Sequence, residues 1–195
     1  VYKQREINLN INNASNVVSA LSFLIASNKK NFKDKVPEYD NGKLNSFNKK
    51  VLVIGGGDTA MDCVRTAIRQ GAESVKCLYR RDQNNMPGSQ REVINAKEEG
   101  IQFEWLSLPV KYIGEKKINK IKFQEMHLGK PDETGRKNPE FIEGKQKELD
   151  CDLIIEALGF EPENIPKIFN EKDLKILLFL SSMRSFKGMN IPCEP

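Results

Sequence analysis

"KKVLVIGGGDTAMDC", residues 49–63, is a short apolar run that passes into three glycines and then into a helix-forming segment. Such a chain can hold a phosphate, because glycines clear side chains from the turn and the start of a helix supplies N–H groups without intrahelical partners. Gly55, Gly57 and Ala60 match the spacing G-x-G-x-x-A. The first position lets the backbone turn tightly, the second admits a pyrophosphate, and the third lets the helix pack on the strand. A free-standing dinucleotide-binding domain usually opens with this loop, whereas here about fifty residues precede it.

Working outward, Asp58 to Gln70 supplies Ala60, Met61, Val64, Ala67 and Ile68 as an apolar stripe. Gly71 stands where a left-handed helix terminator belongs. "SVKCLYRR" (74–81) reads as the second strand. "SQREVINAKEEG" (89–100) reads as a helix, with Ser89 and Glu92 at capping-box spacing, and "IQFEWL" (101–106) as the third strand. The order β-α-β-α-β predicts an α/β fold, a Rossmann-like doubly wound parallel sheet.

The pattern changes after Pro109. "VKYIGEKKINKIKFQEMHL" (110–128) alternates apolar and polar residues, a polar loop follows (129–148) and leads toward another short strand, and together they predict a small antiparallel β-meander insertion over 110–150. It holds no phosphate-binding pattern, so a structural cover or a partner surface is expected. Asp152 to Leu158, "DLIIEAL", then returns to buried-strand composition and ends at Gly159.

Before the glycines, residues 1–13 read as a connector. "SNVVSALSFLIASNKK" (15–30) reads as a helix capped by Ser15 or Asn16, and a loop with Pro37 and Gly42 follows. The expected domains are an approach segment over 1–48, a nucleotide-binding domain over 49–160, and an incomplete return segment over 161–195.

Composition narrows the class. The chain has 195 residues, 30% of them charged, with a net charge of +4. It has no apolar run near the ~18 residues of a membrane span. The N-terminus lacks a secretory pattern, so the cytoplasm is expected. The lysines are dispersed, which gives no basic stripe for nucleic acid. Cys63, Cys77, Cys151 and Cys193 are scattered singly and suit reduced thiols better than metal ligands. His127 has no partner pattern and reads as a surface or edge-strand residue.

The cofactor is chosen at the end of the second strand, where an acid would accept hydrogen bonds from the ribose 2′-hydroxyl of NAD or FAD. This chain has Arg80 and Arg81 there, two guanidinium forks suited to a 2′-phosphate, which favours NADP(H). Asp58 sits awkwardly beside a pyrophosphate unless it faces away, for example by capping the amides of Ala60 or Met61. Asp62, one turn on, lies on the same helix face and within expected reach of a nicotinamide carboxamide.

These residues are also familiar as a set. The stretch 51–106, with "VLVIGGGDTAMDCVRTAIRQG", "CLYRRD" and "NMPGS", resembles the NADPH-binding domain of the glutamate synthase small (beta) subunit. That group lies within the FAD/NAD(P)-dependent pyridine nucleotide-disulfide oxidoreductase-like family. "DLIIEALGFEPENIPKIF" (152–169) is similar to the family's return strand, and "REINLNINNASNVVSALSFL" (5–24) to its approach segment, although the usual Pro-Gly is replaced around Asn10 and Ile11. The end, "ILLFLSSMRSFKGMNIPCEP" (176–195), departs from the pattern.

The resemblance implies reductive synthesis of L-glutamate from L-glutamine and 2-oxoglutarate. NADPH would pass a hydride to FAD, and iron–sulfur clusters would carry electrons to a large subunit. It places the glycine loop inside an FAD domain, which would explain its late position. The family's own FAD loop and cysteine-rich segment have no counterpart in these residues, so this chain is expected to hold NADP(H) but neither FAD nor clusters, and to be inactive alone. Gly55, Gly57, Asp58, Thr59 and Ala60 would form the pyrophosphate loop, Arg80 and Arg81 the 2′-phosphate site, Asp62 a carboxamide contact, and Ala157, Leu158 and Gly159 the nicotinamide side of the crevice. No catalytic side chain is implied, because the cofactors carry the chemistry. The alternatives are the electron-input module of another NADPH-dependent flavoprotein, dihydropyrimidine dehydrogenase-like or ferredoxin:NADP oxidoreductase-like, or a nucleotide-binding fragment without turnover.

Overall fold

A computed structural model describes residues 2–5, 7, 9–10, 14–131 and 137–162. Two compact units are distinguished, Gln4–Phe160 and a second made of Val1–Lys3 with Glu161–Pro195. In the second unit the described residues contribute to a two-stranded sheet of β1 (Tyr2–Gln4) and β10 (Phe160–Pro162). The expected return segment beyond residue 162 lies outside the described residues, as does Cys193.

The larger unit is built on a five-stranded parallel sheet in the order β2 (Val17–Ser19), β9 (Leu153–Glu156), β3 (Lys50–Ile54), β4 (Ser74–Leu78), β5 (Gln102–Glu104). Apolar residues at consecutive positions of β3 point alternately to the two faces, so both faces must be covered. On one face Val51, Val53, Val75, Cys77, Leu153 and Ile155 meet three helices: α1 (Ala20–Asn31), α3 (Asp58–Arg69) and α4 (Gln90–Glu98). Phe23, Met61, Val64 and Val93 provide the helical side of that core. On the other face Leu52, Ile54, Leu78 and Ile154 meet Tyr112, Ile118, Ile121 and Phe123. Burying each such side chain contributes about 1.5–3 kcal/mol.

The second face is covered by the meander β6 (Ser107–Gly114), β7 (Ile118–Pro131) and β8 (Lys137–Asp150) rather than by helices. The expected insertion is therefore a structural layer. The polar stretch after Gly129, expected as loop, is mostly strand β8, which pairs antiparallel with β7 from Pro131↔Lys137 to Lys120↔Asp150. It is an edge strand with both faces largely in solvent, so it shows no alternation.

Three further expectations change. Asn16 caps no helix: its buried Nδ2 donates to the carbonyls of Ile118 (2.7 Å) and Asp152 (2.9 Å), and its Oδ1 accepts from Ile118 N (2.8 Å). Val17 and Val18 form the edge strand β2, paired parallel with β9, and the cap of α1 is Ser19, which accepts from Ser22 N at 3.1 Å. Both β2 and α1 pack into the parallel sheet. Within the lysine-rich loop, Pro37 starts the single-turn helix α2 (Pro37–Asp40). No helix among the described residues is long and apolar enough to cross a membrane.

Candidate functional site

Strand β3 delivers the glycines at the C-terminal edge of the sheet, the edge at which open α/β sheets bind ligands. The three glycines have different reasons to be there. Gly55 has φ +148°, and a Cβ on it would lie 2.2 Å from the carbonyl oxygen of Ala157, at the end of β9. A Cβ on Gly56 would lie 2.4 Å from the ring of Tyr79, the residue after β4. Gly57 has φ −94° and ψ 178°, and a Cβ on it would meet no protein atom within 4 Å. Packing therefore accounts for Gly55 and Gly56. The space over Gly57 is open, which leaves the head of α3 approachable by a ligand's backbone-bound phosphates.

Helix α3 begins at Asp58. The amides of Ala60 and Met61 both bond the carbonyl of Gly57, at 2.9 and 3.2 Å. The cap expected from Asp58 on those amides is absent; instead its Oδ1 accepts from Ser89 N at 2.8 Å. Gly88 N donates to the carbonyl of Gly56 at 2.9 Å, with so little room that a Cβ on Gly88 would lie 3.1 Å from that oxygen. The heads of α3 and α4 are thereby joined, and their positive ends converge. Ser89 caps α4 by position but makes no side-chain cap bond, and the reciprocal half of the capping box is also missing, since the Ser89 N–H donates to Asp58 and the Glu92 carboxylate is ion-paired to Arg65. Gly88 and Ser89 were not singled out in the sequence as site residues, although Pro87-Gly88 before a helix is a turn signal.

Thr59 is half-buried in the first turn, and Asp62 is exposed on the second. Beyond β4 the chain turns at Tyr79, whose hydroxyl donates to Asn85 O at 3.2 Å and whose ring meets Trp105 edge-on. Arg80 is exposed, whereas Arg81 is only 6% exposed, and its Nε donates to Lys137 O at 3.0 Å. Asp82 does not neutralise it, since its Oδ1 accepts from the backbone N–H (2.9 Å) and Nδ2 (2.7 Å) of Asn85. Lys137, in the meander, was not foreseen as a neighbour of the arginines. Ala157, Leu158 and Gly159 follow β9; Ala157 N donates to Ile54 O at 2.8 Å, so this segment lies beside the glycine loop. The structure thus brings Gly55, Asp58, Ala60 and Ala157 to one edge with the arginines at the end of the neighbouring strand.

Of the other expected features, Cys77 reaches this edge, its Sγ donating to Gly55 O at 3.4 Å. Cys63, Cys77 and Cys151 are buried and free, and burial pushes all three thiols up, Cys77 and Cys151 to about 12. His127 is exposed on β7, with Nε2 3.2 Å from Glu140 Oε2. Behind the loop, the Tyr112 hydroxyl donates to Glu156 Oε1 at 2.7 Å, and burial, with the Glu156 carboxylate beside it, pushes the phenol up.

Residues 5–176 match the family model described as pyridine nucleotide-disulphide oxidoreductase. The chain is 53% identical over 176 residues to the glutamate synthase [NADPH] small chain of Azospirillum brasilense, covering 90% of this chain and 36% of that one. It is 42% identical over 166 residues to the protein of the same name in Escherichia coli K12, covering 84% and 35%. It spans about a third of the length of these relatives. FprA from Mycobacterium tuberculosis, solved in complex with NADPH, superposes with a TM-score of 0.65 at 16% identity, over 83% of this chain and 49% of that one, a likeness of fold. On the matched length and these relatives, the chain belongs to the pyridine nucleotide-disulphide oxidoreductase family.

Proposed function

We propose that this chain is the NADPH-binding part of a flavin-dependent oxidoreductase of the glutamate synthase small-subunit kind, working in the cytoplasm with a large subunit. The observation that carries the reading is Gly57, a glycine that neither backbone conformation nor packing requires, with open space at the head of a helix. A pyrophosphate fits that cradle, and a side chain there would fill it.

In this reading Gly57, Asp58 and Thr59 offer amides to the pyrophosphate, beside the turn made by Gly55 and the packing position Ala60. Arg80 and Arg81 receive the 2′-phosphate, Asp62 the carboxamide, and Ala157, Leu158 and Gly159 border the nicotinamide. NADPH, when bound, supplies a hydride for FAD, and in this reading FAD and the iron–sulfur clusters would be held elsewhere in the assembled enzyme. The chain's own residues bind, orient and discriminate, and no side chain needs to move a proton. L-Glutamate formation from L-glutamine and 2-oxoglutarate would then be the outcome in the assembled enzyme.

The test is equilibrium binding of NADPH and NADH to the chain, with its visible spectrum recorded. Tighter binding of NADPH by tenfold or more, without a flavin band, is expected. Equal affinities would contradict the NADPH assignment, and stoichiometric flavin would contradict the division between this chain and the FAD portion.

A further inference from the structure

The hairpin of β7 and β8 outruns the sheet it covers. β7 pairs with β6 only as far as Ser107↔Glu125, and Ser107 N bonds Tyr79 O just beyond the end of β4. From His127 to Pro131 the only strand described beside β7 is β8, with pairs His127↔Glu140, Leu128↔Pro139 and Pro131↔Lys137. The hairpin therefore runs on past its last β6 pair, which stands beside the C-terminal edge of the parallel sheet, with register shifts at Gln124/Met126 and Leu128/Pro131. That is the edge at which α3 begins.

The projecting arm touches one candidate site residue, Arg81, through the Lys137 carbonyl at 3.0 Å from Nε. Arg81 is 6% exposed and forms no ion pair among the described residues. Among the described residues its side-chain partner is this neutral carbonyl, so an anion placed at the Nη groups would complete its surroundings. Fixing Nε also fixes the plane of the fork, and bidentate recognition of phosphate depends on that plane. A cover for the sheet alone would need neither the extra length nor this contact.

We infer that the β7–β8 hairpin is a specificity element for the 2′-phosphate of the nucleotide: the Lys137 carbonyl grips Arg81 Nε and presents the two Nη groups to the phosphate. This rests on the NADPH reading above. Arg81 binds the ligand, and the hairpin is the positioning element.

The experiment measures dissociation constants for NADPH and NADH on the whole chain and three variants. These are replacement of residues 129–138 by an Asn-Gly turn, Arg81→Ala, and the two combined. Hairpin shortening is expected to lower the NADH/NADPH ratio of dissociation constants tenfold or more through NADPH alone. Arg81→Ala should add little in the shortened chain, because both changes remove one interaction. A shortened chain that melts like wild type and keeps the full ratio overturns the inference. If the shortened chain fails to fold, Arg81→Lys decides: it keeps the charge but has no fork to divide between carbonyl and phosphate, so the ratio should fall nearly as far as with Ala, and a wild-type ratio overturns the inference. A wild-type chain that does not prefer NADPH overturns the underlying reading and this inference together, before any variant is compared.

Discussion

The Oδ1 of Asp58 accepts the backbone N–H of Ser89 at 2.8 Å, and this bond ties the first residue of α3 to the cap of α4. It gives a reason for a carboxylate at a phosphate-binding helix head, where its charge alone would repel the ligand. The acceptor oxygen matters more than the charge. Asp58→Asn is therefore expected to keep the melting temperature and to bind NADPH at least as tightly, whereas Asp58→Ala should lower stability by about 1 kcal/mol and weaken NADPH by loosening the Gly88–Ser89 turn. Thermal melts paired with nucleotide titrations check this, and identical behaviour of the two variants would contradict it.

Asn16 bridges β2, the start of β7 and the approach to β9 with a buried amide that donates twice and accepts once. Asn16→Ala leaves the N–H of Ile118 and two carbonyls without partners, at an expected cost of about 2–4 kcal/mol. Urea unfolding of the variant measures that loss, and a change below ~0.5 kcal/mol would contradict the bridging role.

A charged cluster staples α3 to α4: Arg65 Nη2 and Arg69 Nη2 each lie 2.8 Å from Glu99 Oε1, and Arg65 Nη1 also pairs with Glu92. Burial acts to raise the Glu99 carboxyl, and the hydrogen bonds from Arg65 and Arg69 outweigh it, so the group is held below its ordinary value. A depressed carboxylate contributes stability above its unfolded value, about 4.3, and loses it as pH falls through the folded value. Glu99→Gln should therefore lower stability at neutral pH and flatten its decline toward pH ~3. Parallel pH profiles for the two proteins would show that the cluster contributes nothing.

Arg80 and Arg81 are expected to recognise phosphate rather than to raise the local potential. Replacing both with Ala should weaken NADPH about tenfold or more and leave NADH nearly unchanged, at low and at high salt alike. If both nucleotides weaken equally and the difference fades with screening, the arginines act as general electrostatics.

What was legible in the sequence was local. The apolar run 51–54, the glycines and the stripe of α3 announce the strand, the turn and the helix, because each is specified by neighbouring residues. Val17 and Val18 read as helix because a three-residue strand shows no period, and its partner β9 is more than a hundred residues away. β8 read as loop because an exposed edge strand carries charges on both faces. Ser89 and Glu92 have the right spacing for a capping box, but Arg65, on another helix, takes the carboxylate.

The site divides in the same way. Its glycine loop is written in six consecutive residues, Gly55 to Ala60, while the grip on Arg81 comes from Lys137, 56 positions later, and the meander gives no motif for it. The distinction between Gly57 and the two glycines before it is also invisible in the sequence, because Ala157 and Tyr79 arrive from the ends of other strands.

The central claim, that the glycine loop is kept open for a pyrophosphate, is tested most directly by Gly57→Ala. The added methyl meets no protein atom within 4 Å, and φ −94° is ordinary for alanine, so folding stability should stay within about 1 kcal/mol of wild type. Gly55→Ala and Gly56→Ala, which collide with Ala157 and Tyr79, should by contrast destabilise the fold. The measurement is NADPH titration of the folded Gly57→Ala chain. A tenfold or greater loss of affinity at an unchanged melting temperature is the expected result, and wild-type affinity would place the pyrophosphate elsewhere.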